Sequence, residues 1–147
     1  MTNFDINWRD DSANIEKQAK LVDIGLLVLR IGIASLMLFG HGFDKLVNFT
    51  EKAETFADPI GFGPVVSLSL TIFAEFFCSI AILFGFFTRY ATIPLIITML
   101  VAIFIIHADD PWKKQEFATL YLIPYISILF AGAGRYSVDS KLFKKSE

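Results

Sequence analysis

The sequence predicts an all-α integral membrane protein: a four-helix bundle with both termini on the cytoplasmic side. Three observations predict it. Four apolar runs have the length that crosses a hydrocarbon core. Each run is apolar all round, where a helix on a soluble domain would carry a polar stripe. The composition is shifted in the same sense, with 54% hydrophobic and 19% charged residues and a mean hydropathy of +0.57; soluble domains carry about a quarter charged residues. At 147 residues the chain suits one domain.

Residues 1–20 are polar and mixed in charge. They show no apolar core or small-residue cleavage site of a secretory signal, so insertion is expected to rest on the first apolar run. A membrane domain is expected over 21–140, followed by a basic tail at 141–147. The first span is read at 21–40, with Asp23 at its edge and Arg30 inside. Gly61, Gly63 and Pro64 introduce the second, 64–87, whose only charge is Glu75. Thr88 and Arg89 form a short link to the third, 90–106, which is free of charge and closed by Asp109, Asp110 and Pro111. The fourth, 117–134, is also uncharged. Pro94 and Pro124 lie inside spans three and four, where each removes a backbone donor and is expected to bend its helix.

Four spans put both termini on one side. That side holds Arg9, Lys17, Lys20, Arg89, Arg135, Lys141, Lys144 and Lys145, against Lys45, Lys52, Lys113 and Lys114 on the other, so the positive-inside rule makes the termini cytoplasmic. On the opposite side, Phe49, Ala53 and Phe56 fall at helical spacing and predict a short amphipathic helix lying on the bilayer surface. Trp112, in the shorter connector, suits an interfacial belt.

Several function classes drop out. A net charge of −2 argues against nucleic-acid binding, which calls for an excess of positive charge. The single cysteine, Cys78, rules out a disulfide or a cysteine-pair relay within the chain, and in an apolar run it reads as inert packing. No HxxxH, ExxH or CxxC spacing points to a metal site, and no ligand set for haem or an iron–sulfur cluster is evident.

The polar residues inside the apolar runs carry the chemistry. Measured from the ends of their runs, Arg30 and Glu75 lie about 14 and about 17 Å deep at 1.5 Å per residue. On antiparallel neighbours they are therefore expected to pair, and an intramembrane ionisable pair marks a functional site by default. The same pair could simply glue the bundle and fix its register. Asp23, Arg30 and His41 share a face of the first helix, continued by Asp44 and Lys45; Thr71, Glu75, Cys78 and Ser79 share a face of the second. Two polar faces turned inward would give a continuous polar interior. Its outer rim is expected to gather His41 and His107 with Lys45, Asp109 and Glu116. The candidate ligand-binding set is Arg30, His41, Lys45, Glu75, His107 and Glu116, suited to hydrogen-bonding quinone carbonyls and passing protons to them. The histidines could equally be satisfied interfacial residues. Tyr121 and Tyr125, one turn apart, could line a cleft or simply pack.

These motifs resemble the DoxX family of small four-helix bacterial membrane proteins. The resemblance runs along most of the chain, from about Gly25 to Asp139. It is carried by Leu29–Arg30 with His41-Gly42-x-x-Lys45, by Gly63–Pro64, and by Glu75 leading to Gly85 and the Thr88–Arg89 turn. His107 with Glu116, and the closing Gly132-x-Gly134-Arg135-x-Ser137-x-Asp139, complete it. Resemblance to this family implies a multi-pass protein of the bacterial inner membrane and a link to quinone-dependent redox systems. The related DoxD protein is a subunit of a thiosulfate:quinone oxidoreductase, and another member works in a membrane complex with superoxide dismutase and a sulfurtransferase. The wider group also includes similarity to a methylamine-utilisation membrane protein and to a receptor-assembly chaperone in animals. The expected function is thus a quinone-linked subunit of a redox or oxidative-stress system, with a partner protein supplying electrons. The alternative is a non-catalytic scaffold or assembly factor that docks a partner. A small transporter ranks last, because no inverted repeat is visible.

Overall fold

The computed structural model describes residues 8–143, with side chains from residue 12 onward. All of its elements are helical. The first rod is continuous: α1 (Trp8–Met37), a π-helical turn π1 (Leu38–Gly42) and α2 (Phe43–Val47). Asn48 leaves helical geometry, and a single turn, α3 (Phe49–Lys52), follows. Gly63, at a φ of 93° that a side chain would resist, turns the chain into the second rod. Pro64 then opens it at the first helical position, where its missing N–H costs nothing. That rod consists of α4 (Pro64–Ile72), π2 (Phe73–Cys78) and α5 (Ser79–Phe84). The third is α6 (Thr88–Val101) continued by π3 (Ala102–Ile106). The last long helix is α7 (Trp112–Ala131), followed by the short α8 (Val138–Leu142). Both α6 and α7 run uninterrupted through Pro94 and Pro124.

Three rods are long and apolar enough to cross a membrane: Ser12–Val47, Pro64–Phe84 and Thr88–Ile106. The first is longer than its apolar run, because helix continues through the polar residues on either side. In α7 the first turns carry Lys113, Lys114 and Glu116, so its uncharged part starts at Phe117. From there to Ala131 it spans about 22 Å, less than the other rods.

The interior is assembled from all four long elements. Ala34, Met37, Ala74, Cys78, Leu95 and Tyr125 belong to one buried cluster. Outward, every rod displays large apolar side chains, among them Val28, Phe73, Phe77, Ile97, Phe104 and Phe130. A greasy exterior around a core that includes Arg30, Glu75, Ser79 and Thr92 reverses the soluble pattern. Lipid covers this exterior.

Two expectations need correction. The connector helix does not lie with its apolar face on the bilayer. Phe49 and Phe56 pack, with Ala53, against Leu68 and Ile72 of the second rod; burial on protein was available and removes as much apolar surface from water. The polar interior is not continuous either. Arg30 and Glu75 do not meet: they lie at different levels of the bundle, with buried apolar residues such as Ala34, Met37 and Ile82 between them.

The register of the first two rods explains why. At Gly42 an added Cβ would fall 2.6 Å from the Glu75 backbone oxygen, and at Gly85 one would collide with the Arg30 guanidinium. Glu75 is therefore level with Gly42, and Arg30 with Gly85. Arg30 and Gly42 are twelve residues apart, about 18 Å along a helix. Close glycine contacts set the register, whereas the ends of the apolar runs did not.

Candidate functional site

At the end that carries the C-terminal residues, Arg30 donates to the backbone oxygens of Ala133 (2.6 Å) and Tyr136 (2.7 Å). The carboxylate acting on it is Asp139. Asp139 in turn accepts from the backbone N–H groups of Phe87 (2.7 Å) and Thr88 (2.9 Å), capping α6. This bond secures Phe87, whose φ of 45° is uncommon outside glycine. Asp23 accepts from the Arg135 N–H, and Arg89 donates to the Phe130 oxygen. The Gly132–Asp139 motif is thus a clasp: positive-φ glycines bend the chain so that its carbonyls reach Arg30. Expected as half of a buried ion pair with Glu75, Arg30 is instead bonded to these two backbone oxygens.

At the opposite end Glu75 has a different partner. Lys45 Nζ lies 2.6 Å from Glu75 Oε2, with side-chain exposures of 18% and 6%. The pair forms the polar end of a cavity of about 490 Å³ between the second and third rods. Its walls are otherwise mostly apolar: Phe73, Ala74, Ile97 and Val101 from the rods, Phe56 and Ile60 from the connector. Thr71 and Thr98 also reach it. Glu75 lies within π2, and π1 packs beside it; such bulges often occur at functional sites.

The His41 ring, which does not line this cavity, makes edge contacts with Tyr121 (centroids 5.5 Å apart) and Phe117 (6.1 Å). Tyr125 and Ser79 are fully buried in this region. His107 stands apart from this set: its Nδ1 pairs with Asp110 at 2.7 Å, while its backbone oxygen accepts from Gln115. The His107 and Lys114 contacts hold the Asp110 carboxyl below the usual range. Glu116 is exposed at the start of α7.

Of the six expected ligand residues, the structure thus brings Lys45 and Glu75 to one cavity, while His41 packs against Phe117 and Tyr121. Arg30, His107 and Glu116 do not line the cavity. Sequence reasoning missed Asp58, which accepts from Phe62 N–H (3.1 Å), Gly63 N–H (2.8 Å) and Ser67 Oγ (2.7 Å) and ties down the connector over the cavity. Those donors, Ser67 first, lower its carboxyl from the ordinary value. An aspartate five residues before a Gly-Pro helix start was the available signal. Asp139 was seen only as part of a motif, without its capping role.

Comparison with known proteins agrees with this architecture. The DoxX family model matches residues 25–108. An uncharacterised protein of Haemophilus influenzae is 30% identical over 127 residues, covering 82% of this chain and 92% of the relative. The inner membrane protein YqjF of Escherichia coli is 29% identical over 130 residues, covering 86% and 98%. A second uncharacterised H. influenzae protein is 28% identical over 141 residues, covering 88% and 92%. No solved structure matches. With the matched segment running from the first rod through His107, the chain is a membrane protein of the DoxX family.

Proposed function

We propose that this DoxX protein binds a polar-headed apolar ligand of the quinone class in the cavity between its second and third rods. It would serve there as the quinone-linked membrane subunit of a redox or oxidative-stress system. The observation that carries the reading is the Lys45–Glu75 pair, almost withdrawn from solvent, at the end of an otherwise mostly apolar cavity of about 490 Å³. That volume falls in the range of small-molecule sites, which combine apolar walls with a few placed polar groups. The Lys45 ammonium can donate to a ligand carbonyl oxygen. Ile97, Val101, Phe73 and Ile60 offer an apolar surface to an isoprenoid tail, and the partly exposed faces of Phe73 and Ile97 suit access from lipid. Arg30, His107 and Glu116 have no part in binding, and His41 does not line the cavity. Electrons come from a partner protein.

The accompanying topology has α7 as a fourth span and both ends of the chain in the cytoplasm. The protein sits in the bacterial inner membrane, where the name of its E. coli relative places that protein.

The test is titration of the purified protein in lipid nanodiscs with a short-chain ubiquinone or menaquinone analogue. Saturable binding is expected, weakened at least about tenfold, or about 1.4 kcal/mol, by Lys45→Met and unchanged by His107→Gln. Absence of saturable binding removes the reading. A stoichiometric partner co-purifying from native membranes without any small molecule would favour a scaffold instead.

A further inference from the structure

Beside the Arg30 clasp lies a second hollow, of about 380 Å³, between the start of α6, the loop that leaves α7 and the end of α8. Arg89 lines it. Its guanidinium donates to the Phe130 oxygen at 3.1 Å, and among the described residues no carboxylate pairs with it. Most of its five N–H donors are therefore left over. A Cβ at Gly132 would fall 3.3 Å from the Arg89 Nε and a terminal nitrogen, so the bare backbone there lets the guanidinium lie close along the loop. Ala133 and Gly134 line the same hollow, and among the described residues no acceptor takes their backbone N–H groups. The Asp139 carboxylate reaches it too, but both its oxygens accept from the N–H groups of Phe87 and Thr88. The remaining wall is aromatic: the Phe87 ring stands 6.2 Å from Tyr90 and 5.8 Å from Phe143, centroid to centroid, and all three rings are exposed. Exposed aromatic rings of this kind concentrate where hydrocarbon meets headgroups. From Arg135 to Lys145 the sequence carries Arg135, Lys141, Lys144 and Lys145 against Asp139 as the one carboxylate.

We propose that this hollow seats the phosphate headgroup of an anionic phospholipid. The phosphate oxygens accept from the Arg89 guanidinium, whose planar fork suits a phosphate, with the loop N–H groups as further donors. The lipid's acyl chains run down the apolar exterior, and the exposed Phe87, Tyr90 and Phe143 rings flank the headgroup at the interface. The positive excess in the neighbouring sequence favours a lipid of net negative charge and repels an ammonium headgroup. Basic pockets at the cytoplasmic ends of membrane helices hold anionic headgroups by the same chemistry. A bound headgroup joins the start of α6 to the loop after α7, the two segments that Asp139 also helps to tie. The inference rests on the membrane assignment and is independent of what fills the Lys45–Glu75 cavity.

The test is to titrate delipidated, detergent-purified protein with phosphatidylglycerol and, separately, with phosphatidylcholine, counting bound lipids by native mass spectrometry. Tighter binding of phosphatidylglycerol is expected. Arg89→Gln should weaken it by about fivefold, the worth of one basic residue near an anionic headgroup. Lys113→Gln, in the first turn of α7 and away from the hollow, should leave it unchanged. Tyr90→Ala removes a largely exposed ring of the wall; it is expected to weaken binding several-fold and serves if Arg89→Gln does not fold. Equal affinity for the two lipids, or the same phosphatidylglycerol affinity in every folded variant, overturns the proposal. Glycerol phosphate, the soluble fragment of the headgroup, separates the two sources of a phosphate. Its failure to displace the lipid at equal concentration supports a lipid site, whereas displacement there would make the occupant a soluble phosphate and overturn the lipid.

Discussion

Glu75 is the side chain on which most of the energetics at the connector end depends. Its carboxylate is almost fully buried and Lys45 supplies the compensating charge at 2.6 Å. Removing one partner of a buried pair leaves the other unpaired, at a cost of about 3–5 kcal/mol, whereas replacing both by apolar groups is often neutral. Lys45 keeps some exposure, so the lower end applies. Lys45→Met is expected to destabilise the folded protein by about 3 kcal/mol in detergent thermal unfolding, and Lys45→Met with Glu75→Leu to regain most of that loss. A double variant no more stable than the single would show that the pair is not the source of the cost. The sequence indicated that both Arg30 and Glu75 are buried charges but misassigned their partners. A charge inside an apolar run announces its need for compensation; which group meets it depends on register, and here Gly42 and Gly85 set that. Lys45 lies one helical turn beyond His41 and reaches back with its long stem, as lysines do near a membrane edge.

Elements at both ends are held by aspartates acting through backbone N–H groups. Asp139 caps α6 from the far end of the chain, so the third rod, α8 and the Arg30 clasp form one unit. Asp139→Ala removes two acceptor contacts and the countercharge of Arg30; a loss of about 1–2 kcal/mol is expected from the cap alone. Hydrogen exchange should report it first at residues 85–90, and unaltered exchange there would contradict the capping role. Asp58 does the equivalent for the connector. Its carboxyl is lowered in the folded chain, so its contribution is present above the unfolded value, about 3.9, and is lost as pH falls through the lower folded one. Proteolysis of residues 53–63 in nanodiscs is therefore expected to stay slow at neutral pH and to accelerate only below about pH 4. Asp58→Asn should accelerate it already at pH 7, and equal rates for both proteins at neutral pH would show that Asp58 does not pin the loop. The long apolar helices were legible from apolar run length, and Gly63–Pro64 does open the second of them. The π turns were not legible, because the same residues satisfy α and π spacing; in π1 and π2 they coincide with the close approach of Gly42 to the Glu75 backbone.

At the scale of the whole molecule, an apolar exterior was the strongest signal in the sequence, since it follows from composition and needs no partner assignment, whereas the polar interior expected as continuous falls into separate clusters. The order of the helices was equally legible. The placement of function was not: it requires knowing which buried charges meet, and periodicity along single helices carries no information about that. The fourth crossing is the remaining global question. Arg30 and Asp23 on the first rod bind residues 133–136, so the 23–30 stretch of the first rod and the end of α7 lie at one level. α7 packs along α6, and His41 touches Phe117 and Tyr121 near the start of α7, so that helix lies alongside the longer rods between those two levels. Its uncharged part is short, about 22 Å, and a bilayer accommodates such a segment by thinning or by lysines reaching to the interface, as Lys113 and Lys114 can. Single cysteines placed in a Cys78→Ala background at Lys17, Glu51, Lys113 and Ser140 should therefore sort into two classes when intact cells meet a membrane-impermeant maleimide. Glu51→Cys and Lys113→Cys are expected to label from outside, and Lys17→Cys and Ser140→Cys only after the membrane is opened. Lys113→Cys labelling with the same sidedness as Ser140→Cys would mean that α7 does not cross. A reversal of both classes together would keep four spans and place the termini on the outer face.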